Sequence, residues 1–519
     1  MKKIIIATAA FILTLCPLAA QQQAGRNLGH LEMEKFLQKY STTGNAAGMG
    51  LDQPENGSFT TLGGYYEGGD YHRVQQPGSL SGISFETERF DTFSKTLAMR
   101  GSFKYDYGYE NDRVWSDVMD PYDSNPFIYG SRVTSRFETQ KCAIAFDLYT
   151  RPLSDKISLG VKFKYDVADI SGKRDPRPRT HYLGYSAAPS FLFIAGNHQF
   201  GADAGYVFSK EKLNNLTTVQ SYPNLWYYTM SGVEHCDGSI GGYSGFKRQF
   251  TGNGFTTGVQ YGYRNGAIRY LLEGRVDSQW QTVWGDKKQS PGSYQRNNWN
   301  ILSDLLIEGD KICHNLIATA ILADGGATEY LQELQSTKDP VTGVTTETWE
   351  TLYTYKNRLV RNKFEAKLSW TTYGIDSEGA SRWYAGAFAG YKSFKDEHYL
   401  PHSWFSSSSA EGGVNGKFRI FDRKGHQIEL AAEAYASFCI ESDLQLSVES
   451  LYGKEVILPD FRYFNRNIWS ATGSARWTFP LRFKKNTLQG YLEAKGGDIF
   501  AGAGLSRYSA TITLGLLTF

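Results

Sequence analysis

The chain has 519 residues, 55 basic against 53 acidic, with 41% hydrophobic residues: enough for several ordinary domains or one very large one. Its mean hydropathy of −0.43 excludes a bundle of transmembrane helices, which needs several apolar runs of roughly 20 residues. Disorder is excluded by 34 Tyr, 31 Phe and 11 Trp, because disordered chains are poor in such residues. Abundant aromatics with 54 Gly and only 15 Pro suit a large β-protein, where aromatics fill strands and glycines make bends.

Residues 1–20 read as an export signal. Lys2 and Lys3 form a basic start, Ile4 to Leu15 an apolar stretch, and Ala19-Ala20 a small-residue cleavage site. Its removal takes two of the 55 basic residues and leaves 53 against 53 acidic ones. A neutral chain offers no electrostatic case for nucleic acid as a partner. Four cysteines then remain, Cys142, Cys236, Cys313 and Cys439, far apart and without metal-ligand spacing.

Residues 21–57 form a separate N-terminal region. Leu31, Met33, Phe36, Leu37 and Tyr40 recur at mixed helical spacing among Glu32, Glu34, Lys35 and Lys39. Thr43 to Gly50, with Asn45, Gly48 and further small residues, ends the helix in a flexible stretch. This opening resembles that of FadL-type fatty-acid transporter barrels, in which a helical segment and an Asn-Pro-Ala-Gly-Leu-type stretch precede the first strand inside the lumen. Some 15 residues carry the likeness, and Ala46 stands where proline is expected. The opening is also similar to that of uncharacterised outer-membrane barrels of Bacteroidota-type bacteria. The resemblance implies a lumen plug, with Leu31, Met33, Phe36, Leu37, Asn45 and Gly48 as its candidate contacts; the alternative is a periplasmic tail.

From residue 58 to 519 one grammar repeats: a segment alternating polar and apolar residues, then a turn. Ile157, Leu159, Val161, Phe163, Tyr165 and Val167 alternate with Ser158, Gly160, Lys162, Lys164, Asp166 and Ala168, which gives a strand one apolar and one polar face. These segments exceed the usual 5–6 residues of soluble strands. Short turns, as at Gly196-Asn197 and Asp422–His426, alternate with long polar stretches at 110–130, 170–180, 211–253, 283–296, 325–356, 396–408 and 441–466. Short turns at one end and long loops at the other mark a transmembrane antiparallel up-and-down β-barrel. Strand starts fall near 58, 82, 95, 131, 155, 181, 198, 254, 266, 297, 311, 357, 381, 409, 427, 467, 487 and 503; the first two are weakly marked, so 16–18 strands are expected. Lysine at outward Leu159 or Val161 should then be costly, and at inward Ser158 or Gly160 much less so. The chain finishes on Phe519, which resembles the terminal aromatic read by the outer-membrane insertion machinery, although Leu517 breaks the alternation of Ile512, Leu514 and Leu516.

No catalytic motif, cofactor fingerprint or metal-ligand set is present, and no enzyme is expected. His235-Cys236-Asp237 are consecutive, which suits a solvated loop better than chelation. Trp226, Tyr227 and Tyr228, in the longest loop, are candidate outer contacts or lid residues. The inner face mixes both signs of charge, so no ion selectivity is expected. The expected partners are outer-membrane lipid and the insertion machinery, with a protein partner through the loops left open. Two functions fit: a channel or transporter for small or hydrophobic solutes across the outer membrane, or a non-transporting anchor or assembly component with long extracellular loops.

Overall fold

The computed structural model describes residues 27–216, 225–240, 246–483 and 486–518. Residues 1–26, which hold the expected export signal, and Phe519 lie outside this set. In chain order the strands are β1 (Gly57–Gly69), β2 (Ser79–Thr92), β3 (Leu97–Arg113), β4 (Tyr129–Ser131), β5 (Ser135–Thr150), β6 (Ile157–Gly172) and β7 (Pro178–Ala195). There follow β8 (His198–Leu216), β9 (Trp226–Gly232), β10 (His235–Ile240), β11 (Arg248–Asn265), β12 (Ile268–Trp284), β13 (Gly292–Glu308) and β14 (Ile312–Lys338). The last are β15 (Thr345–Ile375), β16 (Ser381–His398), β17 (Ser403–Arg423), β18 (His426–Gln445), β19 (Ile468–Phe483), β20 (Asn486–Phe500) and β21 (Ser506–Thr518).

Eighteen of them form one antiparallel sheet in which each strand pairs with its neighbour in sequence. The sheet closes where β1 pairs with β21, from Ser58↔Thr518 to Gly69↔Arg507. This is a transmembrane β-barrel of eighteen strands, with no free edge along its wall. Strands β4, β9 and β10 make a separate three-stranded sheet. Every expected strand is present, and most starts agree to within a few residues.

Side-chain alternation sets the two faces. On β6, Leu159 is 48% and Val161 39% exposed, while Ser158 is fully buried. Leu159 and Val161 face outward and Ser158 faces the lumen. Ser158 and Gly160 do not look into open water, however. A Cβ on Gly160 would lie 2.5 Å from the backbone nitrogen of Ala47, because the N-terminal region covers this part of the wall. The expectation that lysine is tolerated at Ser158 or Gly160 is therefore corrected.

Three stretches read as loops are largely strand. Residues 325–356 pair as a ribbon up to Lys338↔Thr345, so β15 begins at Thr345 and not near 357. At 170–180 and 396–408 the strands likewise run on, leaving only residues 173–177 and 399–402 as connections. Alternating Thr, Tyr and Leu support pairing beyond the apolar band, where water rather than lipid meets both faces.

One expectation follows for the wall. Leu159→Lys should weaken folding into lipid by about 2–4 kcal/mol, as charges do on the lipid face near mid-membrane. Ala143→Lys, on a lumen-facing position beside a cavity, should cost far less. Equal losses in unfolding titrations of the two variants in lipid would refute the facing assignment.

Candidate functional site

The lumen is occupied at both ends. At the end of the short turns lies the N-terminal region. Helix α1 (Leu28–Leu37) begins with a capping box: the Asn27 side chain accepts from the His30 backbone N–H, and the His30 ring accepts from the Asn27 N–H. Leu28 donates its backbone N–H to Gln489 Oε1 at 3.0 Å. Its side chain packs with Tyr491 and Leu517, with Leu31 and Phe59 alongside. Leu517 faces inward for this contact, which accounts for its break from the alternation of its strand.

From there the chain crosses the lumen, held by small apolar clusters, Tyr40 and Ala47 with Leu192 and Leu271 and Met49 with Phe90 and Tyr149, and by a series of polar contacts. Glu32 pairs with Lys417 and, at 2.5 Å, with Arg476. Lys35 pairs with Glu88 at 2.6 Å. Lys39 pairs with Asp304 at 2.7 Å, the two side chains only 6% and 7% exposed, and also donates to Asn315 at 3.2 Å. Lys162 donates to the Thr43 carbonyl at 2.7 Å. Asn45 donates to the Phe191 carbonyl and to Gln260 Oε1, each at 3.0 Å, and Ala47 donates its N–H to Ser190 Oγ at 3.0 Å. Strands β2, β6, β7, β11, β13, β14, β17 and β19 all take part, so the segment touches most of the circumference.

The candidate plug residues divide by environment. Met33 is buried, Phe36 lies with its ring 4.1 Å from that of Tyr373, and Leu31 is half-buried in the Leu28 cluster. Leu37 is half-buried and its carbonyl accepts from Arg269 at 3.2 Å. Asn45 is fully buried, and its side-chain oxygen accepts from the Gly48 N–H at 3.3 Å. Gly48 has an ordinary helical φ of −64°, so left-handed freedom is not what the position uses. A Cβ there would lie 2.0 Å from the Tyr40 ring, and close approach is the requirement.

At the loop end a lid closes the barrel. The sheet of β4, β9 and β10, the loop 114–128 and helix α2 (Leu458–Phe464) with its preceding turn share one apolar core. Trp115, Val118, Tyr129, Tyr227, Met230 and Val456 lie within it. Tyr227 is buried and donates its hydroxyl to Asp117 at 2.8 Å. Tyr228 packs 4.8 Å from Trp115, ring to ring, whereas Trp226 is exposed. Two of the three candidate loop aromatics thus hold the lid together and one faces solvent. Asp460 fastens α2 to the connection between β1 and β2, accepting from Val74 N–H at 2.9 Å and from Arg73 at 3.2 Å. Glu234 accepts from the N–H groups of Ser447 and Val448 at 2.6 and 3.0 Å.

Between the closures the lumen keeps hollow space. A cavity of about 640 Å³ lies beneath the lid, where Asp106, Glu110, Asp166 and Glu211 outnumber Arg113 and Lys141. Another of about 220 Å³ adjoins α1 beside Glu32, Lys417, Glu429 and Arg476. Sequence reasoning did not single out Glu32, Lys39, Asp304 or Arg476. The available signal was that a helix bearing both charges would face a lumen bearing both charges. Among the described residues Cys142, Cys236, Cys313 and Cys439 are free thiols, and no cluster of three or more metal-ligating side chains occurs.

No curated protein matches the chain. Solved structures similar to it include the ferric yersiniabactin uptake receptor FyuA from Yersinia pestis, at 8% identity over 90% of this chain and 80% of that one, with a TM-score of 0.39. The ferric citrate transporter FecA matches at 9% identity over 89% and 78% with a TM-score of 0.38. The ferric preacinetobactin receptor BauA from Acinetobacter baumannii matches at 9% identity over 89% and 79%, also at 0.38. Scores this low say nothing of what this chain does. The model of the family of unknown function DUF6850 matches residues 46–519, and the chain belongs to that family.

Proposed function

We propose that the protein is a gated transporter of small polar solutes in the outer membrane, with its short turns in the periplasm and its lid outside. The observation that carries this reading is the polar attachment of the N-terminal segment. A segment held by ion pairs and amide hydrogen bonds can exchange each for water at a net cost of about 0.5–1.5 kcal/mol per neutral hydrogen bond and about 1.5–3 kcal/mol per bond to a charged group. An apolar filler would have no such alternative. Passage of hydrophobic solutes finds less support, because the β1–β21 ladder is continuous and the cavity beneath the lid is rich in carboxylates. That acidic lining favours neutral or cationic solutes. The likeness of some 15 residues of the N-terminal region to FadL-type openings agrees with a plug, and Phe519 is proposed as the insertion signal.

The second reading is a sealed anchor, and the closure of both ends is the observation in its favour. Single-channel recordings on four proteins separate the two: the intact chain, one lacking residues 24–50, Trp115→Ala, and the combination. Barrels of 16–18 strands enclose an aqueous channel when unfilled, so the combined variant should conduct far more than the intact protein. Each single change should give intermediate values. A correctly inserted combined variant that conducts no better than the intact protein would establish the anchor.

The lid should respond to pH. Burial pushes the Asp117 carboxyl up to about 7, partly offset by the Tyr227 hydroxyl and by Arg113. A carboxyl whose folded value is raised binds its proton more tightly in the closed lid than in a released loop. The stabilisation is therefore complete below about pH 4 and is lost progressively as pH rises to about 7. Burial shifts Asp460 in the same direction. Amide exchange across residues 114–131, corrected for its intrinsic rate, should accelerate as pH rises from about 4 to about 7 and the lid loosens. Asp117→Asn should flatten that dependence. Protection that grows with pH in the intact chain would contradict the assignment.

A further inference from the structure

On the outward face, where β3, β5, β6, β7 and β8 adjoin, the wall carries a trough of about 460 Å³. The strand register shows how it forms. One row runs Tyr105↔Cys142↔Val167↔Leu183↔Lys210. The row beneath it runs Phe103↔Ile144↔Tyr165↔Tyr185↔Phe208. Cys142, Val167 and Leu183 are short side chains between taller aromatic neighbours, so the surface dips along them. The row above, Tyr107↔Gln140↔Asp169↔His181↔Lys212, is polar and charged. An apolar trough thus ends abruptly in a charged rim.

The height of that rim follows from β8. From Phe200 to Phe208 its outward side chains are all apolar or aromatic. At about 3.3 Å per residue and about 40° of tilt, these residues climb about 20 Å, most of an apolar band about 25 Å tall. Lys210 and Lys212 come next, where hydrocarbon gives way to headgroups at the loop end. Their charge is not consumed by neighbours. The nearby carboxylate of Asp169 is already paired with Arg179 at 2.7 Å and with His181 at 3.3 Å. Glu138 is likewise paired with Lys173 at 2.5 Å. Among the described residues neither Lys210 nor Lys212 has an acidic partner within ion-pair distance.

We propose that this trough is a binding site for one anionic lipid of the leaflet at the loop end, its phosphate between Lys210 and Lys212 and an acyl chain along Cys142, Val167 and Leu183. The inference uses the proposed orientation only to name that leaflet as the outer one, and does not depend on transport. Ordinary lipid contact needs neither a trough nor unpaired lysines above it. The combination supplies both shape for the chain and charge for the headgroup.

The test is native mass spectrometry of the full-length protein in detergent, titrated with dioleoyl phosphatidylglycerol or dioleoyl phosphatidylcholine. The intact protein should retain the anionic lipid in preference to the zwitterionic one. Lys210→Gln with Lys212→Gln should weaken phosphatidylglycerol binding about thirty-fold, the effect of removing two interfacial lysines. Val167→Trp should fill the trough and reduce retention with both lysines in place. Lys338→Gln, far out on β14, should change nothing. Equal retention of the two lipids by the intact protein, a loss below about three-fold in the double lysine variant, or full retention by Val167→Trp would each overturn the proposal.

Discussion

A wall that crosses hydrocarbon must pair every backbone N–H and C=O within itself, because no water is there to take the missing bonds. The rest of this structure descends from that constraint. It forces the sheet to close, and closure is made by the first and last strands, which lie more than four hundred residues apart in sequence. It also fixes the side chains, since pairing in an extended ladder sends alternate residues to lipid and to lumen. Leu159 and Val161 go out, and Ser158, Gly160 and Lys162 go in. A lumen lined this way is polar, and nothing apolar alone can fill it.

The filling accordingly matches the wall charge for charge. Lys417, Arg419 and Arg476 converge on one wall carboxylate, Glu429. Glu32 of α1 brings a second carboxylate to Lys417 and Arg476. Further round the wall, on β13, the signs reverse. Asp304 of β13 receives Lys39 from the segment, and both are almost dry. Separating that pair without replacement would leave a buried charge, a loss of about 3–5 kcal/mol. Complementary charges on separate strands of the wall fix where the segment lies, which apolar packing would leave free to slide.

Much of the fold was legible in the sequence, because a two-residue period reports directly on a sheet with lipid on one side. Eighteen strand starts follow from it. Where both faces meet water the period loses its contrast, and so Thr345–Lys356, a paired ribbon, reads as loop. Leu517 reads as an error in the pattern until Leu28 is placed against it. The N-terminal region was harder for a related reason. Its apolar residues drew notice because burial is the familiar cause of order, and Phe36 and Met33 are indeed covered. The contacts that span the lumen at Glu32 and Lys39 belong to residue types that also populate solvated surfaces. Only the identity of the facing wall distinguishes the two cases, and that pairing is a long-range property no local window contains.

The two closures differ in kind, and the difference bears on which one moves. The lid is an apolar core built from four separate loops, with Trp115, Tyr129 and Tyr227 buried among aliphatic side chains. Opening it exposes that core to water, and each large side chain released costs about 1.5–3 kcal/mol. The segment at the turn end has apolar contacts of its own, at Leu28, Met33, Phe36, Tyr40 and Met49, but they are spread along the wall in separate small clusters. Most of its attachments are to groups that water can serve as well. The cavities beside Glu32 and beneath the lid already leave room for water near the polar partners. For a barrel whose wall cannot open, any path through the lumen has to displace both closures, and only the polar attachments of residues 28–52 can be taken over by water. The lid alone couples its closure to buried loop carboxylates, Asp117 and Asp460.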